Sequence, residues 1–270
     1  RKETKKKKRK IGSKVYVALV MVFLYLPIAV LILYSFNDGK TSVWKGFTLK
    51  WYYELFNNSA IMTSLYNTLI IAVLAALVST VLGTLAAIGI YNMKKPVRSL
   101  VTNVSNIPII NPEIVTGVSF MLLFAFLGTL FNFEMGFATV LIAHISFCTP
   151  YVILNVMPKL RQMDYSIYEA ALDLGCNPRQ AFFKTVMPEI MPGVISGMLM
   201  SFTYSLDDFV ITYFTRGPKF QTLPIEIYTM LRRRISPTIN ALSTLLFIIT
   251  IAILIIVNVW ERRAEKEHTS

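Results

Sequence analysis

"VYVALVMVFLYLPIAVLILYSF", Val15 to Phe36, runs for 22 residues without one charged side chain. A helix rises about 1.5 Å per residue, so this stretch reaches roughly 33 Å, enough to cross the hydrocarbon of a bilayer. A basic segment precedes it, as in a secretory signal. The apolar run is too long for one, however, and no small-residue cleavage site follows. It reads as a retained transmembrane helix. Five more apolar windows lie at about 65–91, 99–127, 137–158, 191–215 and 239–260. The sequence therefore predicts an all-α integral membrane protein with six transmembrane helices.

The composition agrees. Of 270 residues, 54% are hydrophobic and only 16% charged, which excludes an ordinary soluble domain. Six spans put both termini on one side, and Lys and Arg near span ends mark the cytoplasm. Residues 1–14 carry nine, 92–98 three, 159–190 four and 261–270 three, so 19 of the 27 lie on one face. The opposite segments 37–64, 128–136 and 216–238 carry eight. Both termini are thus expected in the cytoplasm. The organisation is a basic tail over 1–14, a membrane domain over 15–260 that includes a cytoplasmic loop at 159–190, and a second tail over 261–270.

A net charge of +12 does not imply nucleic acid here. Its largest block, "RKETKKKKRK", sits beside the first span, where it meets anionic lipid headgroups. No folded basic face with stacking groups accompanies it. Cys148 falls in a span and Cys176 in a cytoplasmic loop, so no disulfide is expected. His144 and His268 are isolated from both thiols, which leaves no metal site. Cys148 reads as apolar packing and His144 as a satisfied side chain inside the bundle. The triplet Gly39-Lys40-Thr41 resembles the end of a phosphate-binding loop, but position 34 holds Tyr34 where that loop needs glycine. Any ATP used must be bound by a partner.

Within the spans, Ala75, Ser79, Gly83 and Ala87 form a stripe of small residues, and Gly193, Gly197, Ser201 and Ser205 form another. Such stripes let helices approach closely in lipid. "NIPIINPEIV" places Pro108 and Pro112 four residues apart, each removing a helical hydrogen bond, with Glu113 directly after and near the middle of the third window. Irregular backbone at membrane depth is tolerated where it lines a cavity. "SLDDFVITYF" puts Asp207 and Asp208 in the fifth window, where ionisable groups are functional candidates by default. On a continuous helix the two point about 100° apart. Tyr204 lies between them and Ser205 is three residues from Asp208. Asp208 is expected to turn toward a path and Asp207 to bond a neighbouring helix or partner.

The loop "EAALDLGCNPRQAFFKTVMP", Glu169 to Pro188, reads as a short helix, a turn and a second short helix. Gly175 suits the left-handed closing residue, Asn177 a cap, Pro178 the first helical position and Gln180 the reciprocal capping partner. Its spacing resembles the EAA signature of membrane permeases in ABC importers, with Glu169, Ala170, Ala171, Gly175 and Pro188 matching. Thr185 and Met187 depart from the usual Ile or Val and Leu. Along most of the chain, "VWKGFTLKWYYELFNN", "IINPEIVTG", "SFTYSLDDFVITYF" and "SPTINAL" are similar to the C-type permeases of spermidine/putrescine importers.

The resemblance implies a type I ABC importer permease fold and half of a polyamine path. It also implies a homologous second permease, a dimer of ATPase subunits that docks on the EAA loop and holds ATP and Mg, and an external polyamine-binding protein. This chain would bind no cofactor and catalyse nothing, in a bacterial cytoplasmic membrane. Trp44, Glu113, Ser205, Asp207 and Asp208 would serve the path, and Tyr204, between the aspartates, is expected on it with them. An ammonium over Trp or Tyr gains roughly 0.5–2 kcal/mol, and carboxylates add to that. Arg232 to Arg234 read as a solvated face, against a simple cation funnel. The rivals are a permease for another small solute, an ion-coupled transporter or channel, and an intramembrane enzyme. The last fails because neighbouring aspartates on one helix cannot share a proton.

Overall fold

In a computed structural model, residues 2–39, 43–233 and 237–267 are described. Lys40 and Thr41 of the Gly-Lys-Thr triplet, Arg234 and His268 lie outside them. The described residues form helices joined by short turns, with one isolated bridge between Asn37 and Phe47. They divide into two compact units, one of residues up to Met62 together with those from Ile227 onward, the other Thr63–Glu226.

In the first unit, α1 (Lys2–Ser35) packs on α12 (Pro237–Glu267), which follows α11 (Leu223–Arg233) in the chain and also packs on α2 (Lys50–Asn57). The turn after α1 is built by polar groups that would otherwise be orphaned. Asn37, 1% exposed, donates from Nδ2 to Val43 O at 2.9 Å and accepts at Oδ1 from the N–H groups of Gly39 and Lys45. Its carbonyl takes the indole N–H of buried Trp51 at 2.7 Å. Trp51 and Leu55, four apart, form the inner face of α2. Trp44 sits on this turn with about half its surface exposed.

The second unit is organised around α6 (Phe137–Gln162), which α9 (Met187–Asp207) follows closely. The small-residue stripes explain the approach. A Cβ added at Gly83, on α3 (Ser59–Tyr91), would lie 2.6 Å from Val152 Cβ. One added at Gly197 would lie 3.0 Å from Val152 Cα. Two stripes thus close on opposite neighbours of a single valine. Ala75, Ser79, Ala87, Ser201 and Ser205 are all buried. Val152, Val156, Leu160 and Ile190 complete the apolar core at the far end of the same contact.

Two predicted spans are broken. The third window divides into α4 (Lys95–Ile110) and α5 (Glu113–Phe131), because Asn111 and Pro112 are extended, with ψ of 137° and 132°. Pro112 has no N–H to continue the ladder. Glu113 therefore opens a helix and is not at mid-span as the sequence reading has it. The fifth window divides at Asp208, whose ψ of 124° ends α9 before α10 (Val210–Thr215) begins. Among the described residues five helices are long and apolar enough to cross a membrane, the last running Pro178–Asp207. The sixth window falls in α12, whose described apolar stretch is Pro237–Ile249.

The loop 159–190 holds α7 (Tyr165–Asp173) and α8 (Pro178–Ala181). Asp164 caps α7 by accepting the Ser166 N–H at 3.0 Å, and this bond, helped by the Ser166 hydroxyl, holds its carboxyl below the usual range. Gly175 has φ of 89°, the left-handed turn expected of it. Asn177 and Gln180 form the reciprocal capping box, with Gln180 N donating to Asn177 Oδ1 at 2.9 Å and Asn177 N to Gln180 Oε1 at 3.2 Å. The second helix is not separate, however. A π-helical turn, Phe182–Val186, joins α8 to α9 without a stop.

Candidate functional site

Asp208 occupies the break that it makes. Its Oδ1 accepts the Ile211 N–H at 3.2 Å, and its Oδ2 accepts the Thr212 N–H at 2.8 Å and the Thr212 hydroxyl at 2.7 Å. The carboxylate thus satisfies the opening amides of α10, as a helix cap does. His144, 1% exposed on α6, stands 3.4 Å from the same Oδ2. Its Nε2 is 2.9 Å from Thr212 Oγ1, and its Nδ1 is 2.7 Å from Ser205 Oγ. The Thr212 proton is committed to Asp208, so Thr212 must accept from His144 and Nε2 carries a proton. A line of hydrogen bonds from Ser205 through His144 and Thr212 to Asp208 pins the two halves of the broken helix onto α6.

Asp207 is different. It is exposed, and its carboxylate makes no ion pair or hydrogen bond to another described residue. The expected allocation is therefore reversed. Asp208 is the aspartate bonded to a neighbouring helix, and Asp207 is the open one. The reason is the break itself, since the 100° divergence on a continuous helix no longer applies once Asp208 leaves helical geometry.

The two breaks meet. α10 packs against α5 and α6, and Gly117 lets α5 come so close that a Cβ there would lie 2.8 Å from the Phe214 ring. Between them is a cavity of about 260 Å³. Its polar lining includes Glu113, Thr116, Tyr151, Tyr204, Asp207 and Asp208, with Pro108, Phe147 and Phe209 among its apolar walls. Tyr151 and Tyr204 stack at 4.4 Å between centroids. Two open carboxylates beside a pair of aromatic rings can hold an organic cation by charge and by ring face.

Of the residues expected to line a path, Glu113, Tyr204, Asp207 and Asp208 share this cavity. Ser205 does not line it, being 2% exposed and bonded to His144. Trp44 belongs to the other unit. The sequence reading missed the parts played by His144 and Thr212. A histidine in one apolar span and a carboxylate in another form a signal, but nothing in the spacing joins them. On the loop, Glu169, Ala170, Gly175 and Pro188 are exposed and Ala171 is half-buried. Leu174, at 87% exposed, and Phe183, at 63%, leave an apolar surface beside them.

Residues 79–267 match the family described as binding-protein-dependent transport system inner membrane component. The chain is 34% identical over 255 residues to the spermidine/putrescine transport system permease protein PotC of Escherichia coli strain K12, covering 94% of this chain and 95% of that one. It is 40% identical over 240 residues to the putrescine transport system permease protein PotI of the same strain, covering 86% and 84%. Its fold is similar, with a TM-score of 0.72 and 14% identity, to a chain of a bacterial ABC transporter involved in the import of the acidic polysaccharide alginate, covering 95% of this chain and 96% of that one. Broken helices around a polar cavity, a capped helical loop beside an apolar surface and a sequence match that spans both make one conclusion: this chain belongs to the binding-protein-dependent transport system inner membrane component family.

Proposed function

We propose that the chain is the permease for organic polycations, spermidine or putrescine, in an ATP-driven importer, and that the cavity at the two helix breaks is its cation path. The observation that carries this reading is the pair of open carboxylates, Glu113 and Asp207, beside the Tyr151–Tyr204 stack in one cavity. Identity to polyamine permeases over most of the chain supports the substrate class.

In this reading α12 supplies the sixth span, both termini are cytoplasmic, and a second, homologous permease completes the pore. An external binding protein delivers the cation, for which exposed Trp44 offers an aromatic face. Two ATPase subunits dock on α7 and α8 around Glu169, Ala170 and Ala171, with Gly175 setting the turn and Pro188 in the first turn of α9. They bind ATP and Mg, and their closure reorients α9, which is continuous with α8 through the π-helical turn. Asp208 and Ser205 hold the broken helix in place, while Asp207 and Glu113 replace water around the ammonium groups. Partial hydration must persist, or the cation would not leave.

The test is uptake of labelled spermidine into vesicles that hold the assembled transporter, with putrescine, a sugar and an oxyanion as competitors. Putrescine should compete and the other two should not, and uptake should need ATP. Uptake driven by an ion gradient alone, or by this chain without an ATPase, would contradict the proposal.

A further inference from the structure

A second cavity lies away from the path, between the start of α4 and the end of α6. It measures about 330 Å³ and is lined by Lys95, Arg98, Ser99, Thr102, Asn103 and Arg161. Three side chains are cationic, three are hydrogen-bonding neutrals and none is a carboxylate. Charges of one sign around a concavity make a site for an anion. The first turn of α4 adds to the field, because Lys94 provides no side-chain cap for its N–H groups. Thr102 Oγ1 is buried there without a hydrogen-bond partner, which in a native protein calls for an explanation.

A second groove, of about 310 Å³, adjoins this cavity and shares Thr102 and Arg161 with it. Its other walls are largely apolar, with Ile153, Leu154, Met157 and Pro158 along α6. A basic pocket that opens into an apolar groove has the shape and polarity of a phospholipid, headgroup in the one and acyl chain along the other. A free phosphate would use only the first half.

We propose that the cleft between α4 and α6 binds an anionic phospholipid of the cytoplasmic leaflet, its phosphate held by Lys95, Arg98 and Arg161 and by the Thr102 hydroxyl, its acyl chain lying on Ile153, Leu154 and Met157. This rests on the cytoplasmic placement of the 92–98 turn and not on the substrate. Basic pockets between transmembrane helices on that side recognise such headgroups. Arg98 also donates to Tyr91 O at 3.3 Å, so an occupied site would brace the turn between α3 and α4.

The full chain in its assembled transporter is incorporated into vesicles of equal phosphatidylcholine and phosphatidylglycerol, extracted, and its retained lipid counted by mass spectrometry. The wild type should retain phosphatidylglycerol over phosphatidylcholine. Each cation near such headgroups contributes about fivefold, so Lys95→Gln with Arg161→Gln should lower the preference roughly 25-fold. Arg161→Lys with native Lys95 should keep most of it. Lys219→Gln, an exposed cation elsewhere, should change nothing. Equal retention of the two lipids by the wild type overturns the proposal, as does an unchanged preference in the double variant. Displacement of the lipid by inorganic phosphate alone would make the site one for a free anion. Loss of ATPase co-purification with lipid retention intact would make it a protein contact. A double variant that fails to assemble is replaced by Leu154→Trp, which fills the groove without adding charge and should lower phosphatidylglycerol retention several-fold. ATP-driven spermidine uptake is read separately, so failure of either reading leaves the other standing.

Discussion

His144 on α6 and Asp208 in the break between α9 and α10 face each other at 3.4 Å, with Thr212 bonded to both. The carboxylate side chain is only 6% exposed, so its partners have no water to turn to. Asp208→Ala leaves two backbone N–H groups and a hydroxyl without their acceptor, and an imidazole without its neighbouring carboxylate. Removing one member of a buried polar pair costs about 3–5 kcal/mol. We expect this variant to be depleted from the membrane and to melt well below the wild type in detergent. Asp208→Asn, which keeps one carbonyl oxygen, should fall between them. Wild-type melting of the alanine variant would remove Asp208 from its capping role.

Val152 offers a test of helix approach. Gly83→Ala drives a methyl to 2.6 Å from Val152 Cβ, a clash that should destabilise the bundle by about 1–3 kcal/mol. Adding Val152→Ala keeps that Cβ but removes the Cγ1 methyl, 2.8 Å from the new group, and should return part of the loss. A double-mutant cycle on thermal unfolding reads the coupling. Additive effects would show that Gly83 of α3 does not close on Val152.

The cytoplasmic loop should separate coupling from folding. Leu174→Asp alters an almost fully exposed side chain, and Glu169→Lys reverses a charge on the same surface. Both should insert normally and melt like the wild type, yet lose ATP-coupled uptake. Coupled uptake at the wild-type level in both would remove this surface from docking. Asn177→Ala, by contrast, deletes a cap and should cost about 1 kcal/mol locally. Faster amide exchange at Gln180 would report it.

The Asp164 cap has a pH signature. Its carboxyl is held below the usual range by the bond from Ser166 N–H. A carboxyl lowered on folding contributes its stability above the unfolded value and loses it as pH falls through the folded one. Ser166 amide protection should therefore persist through neutral pH and fall only in acid, below where an ordinary aspartate titrates. Asp164→Asn, which cannot titrate, should flatten that dependence.

What could be read from sequence follows the range of the physics involved. The capping box at Asn177 and the turn at Gly175 were legible because each depends on residues within three or four positions. Membrane helices were legible because hydropathy is summed over a whole window, and the stripes because four-residue spacing is a helical period. The first break was visible through its prolines. The second was not, because Asp208 is a residue that can cap a new helix but brings no proline-like break, and an aspartate alone does not say that it caps. It exists because α6 supplies His144 and α10 supplies Thr212, and such a contact between segments 61 to 68 residues apart leaves no local mark. The two aspartates were misallocated for that reason. With two broken helices in the structure, the separation from an ion-coupled transporter rests on family membership.

In the proposed path a cation passes between Glu113 and Asp207. Thr116 lines the same cavity and is neither of them, so Thr116→Cys introduces a reporter that leaves both carboxylates in place. With Cys176 replaced by Ser and Cys148 fully buried, a thiol reagent reads position 116. In the assembled transporter, spermidine should slow that labelling several-fold, and the protection should vanish when Glu113→Gln and Asp207→Asn are added. Labelling indifferent to spermidine, in a transporter that still imports it, would contradict the claim.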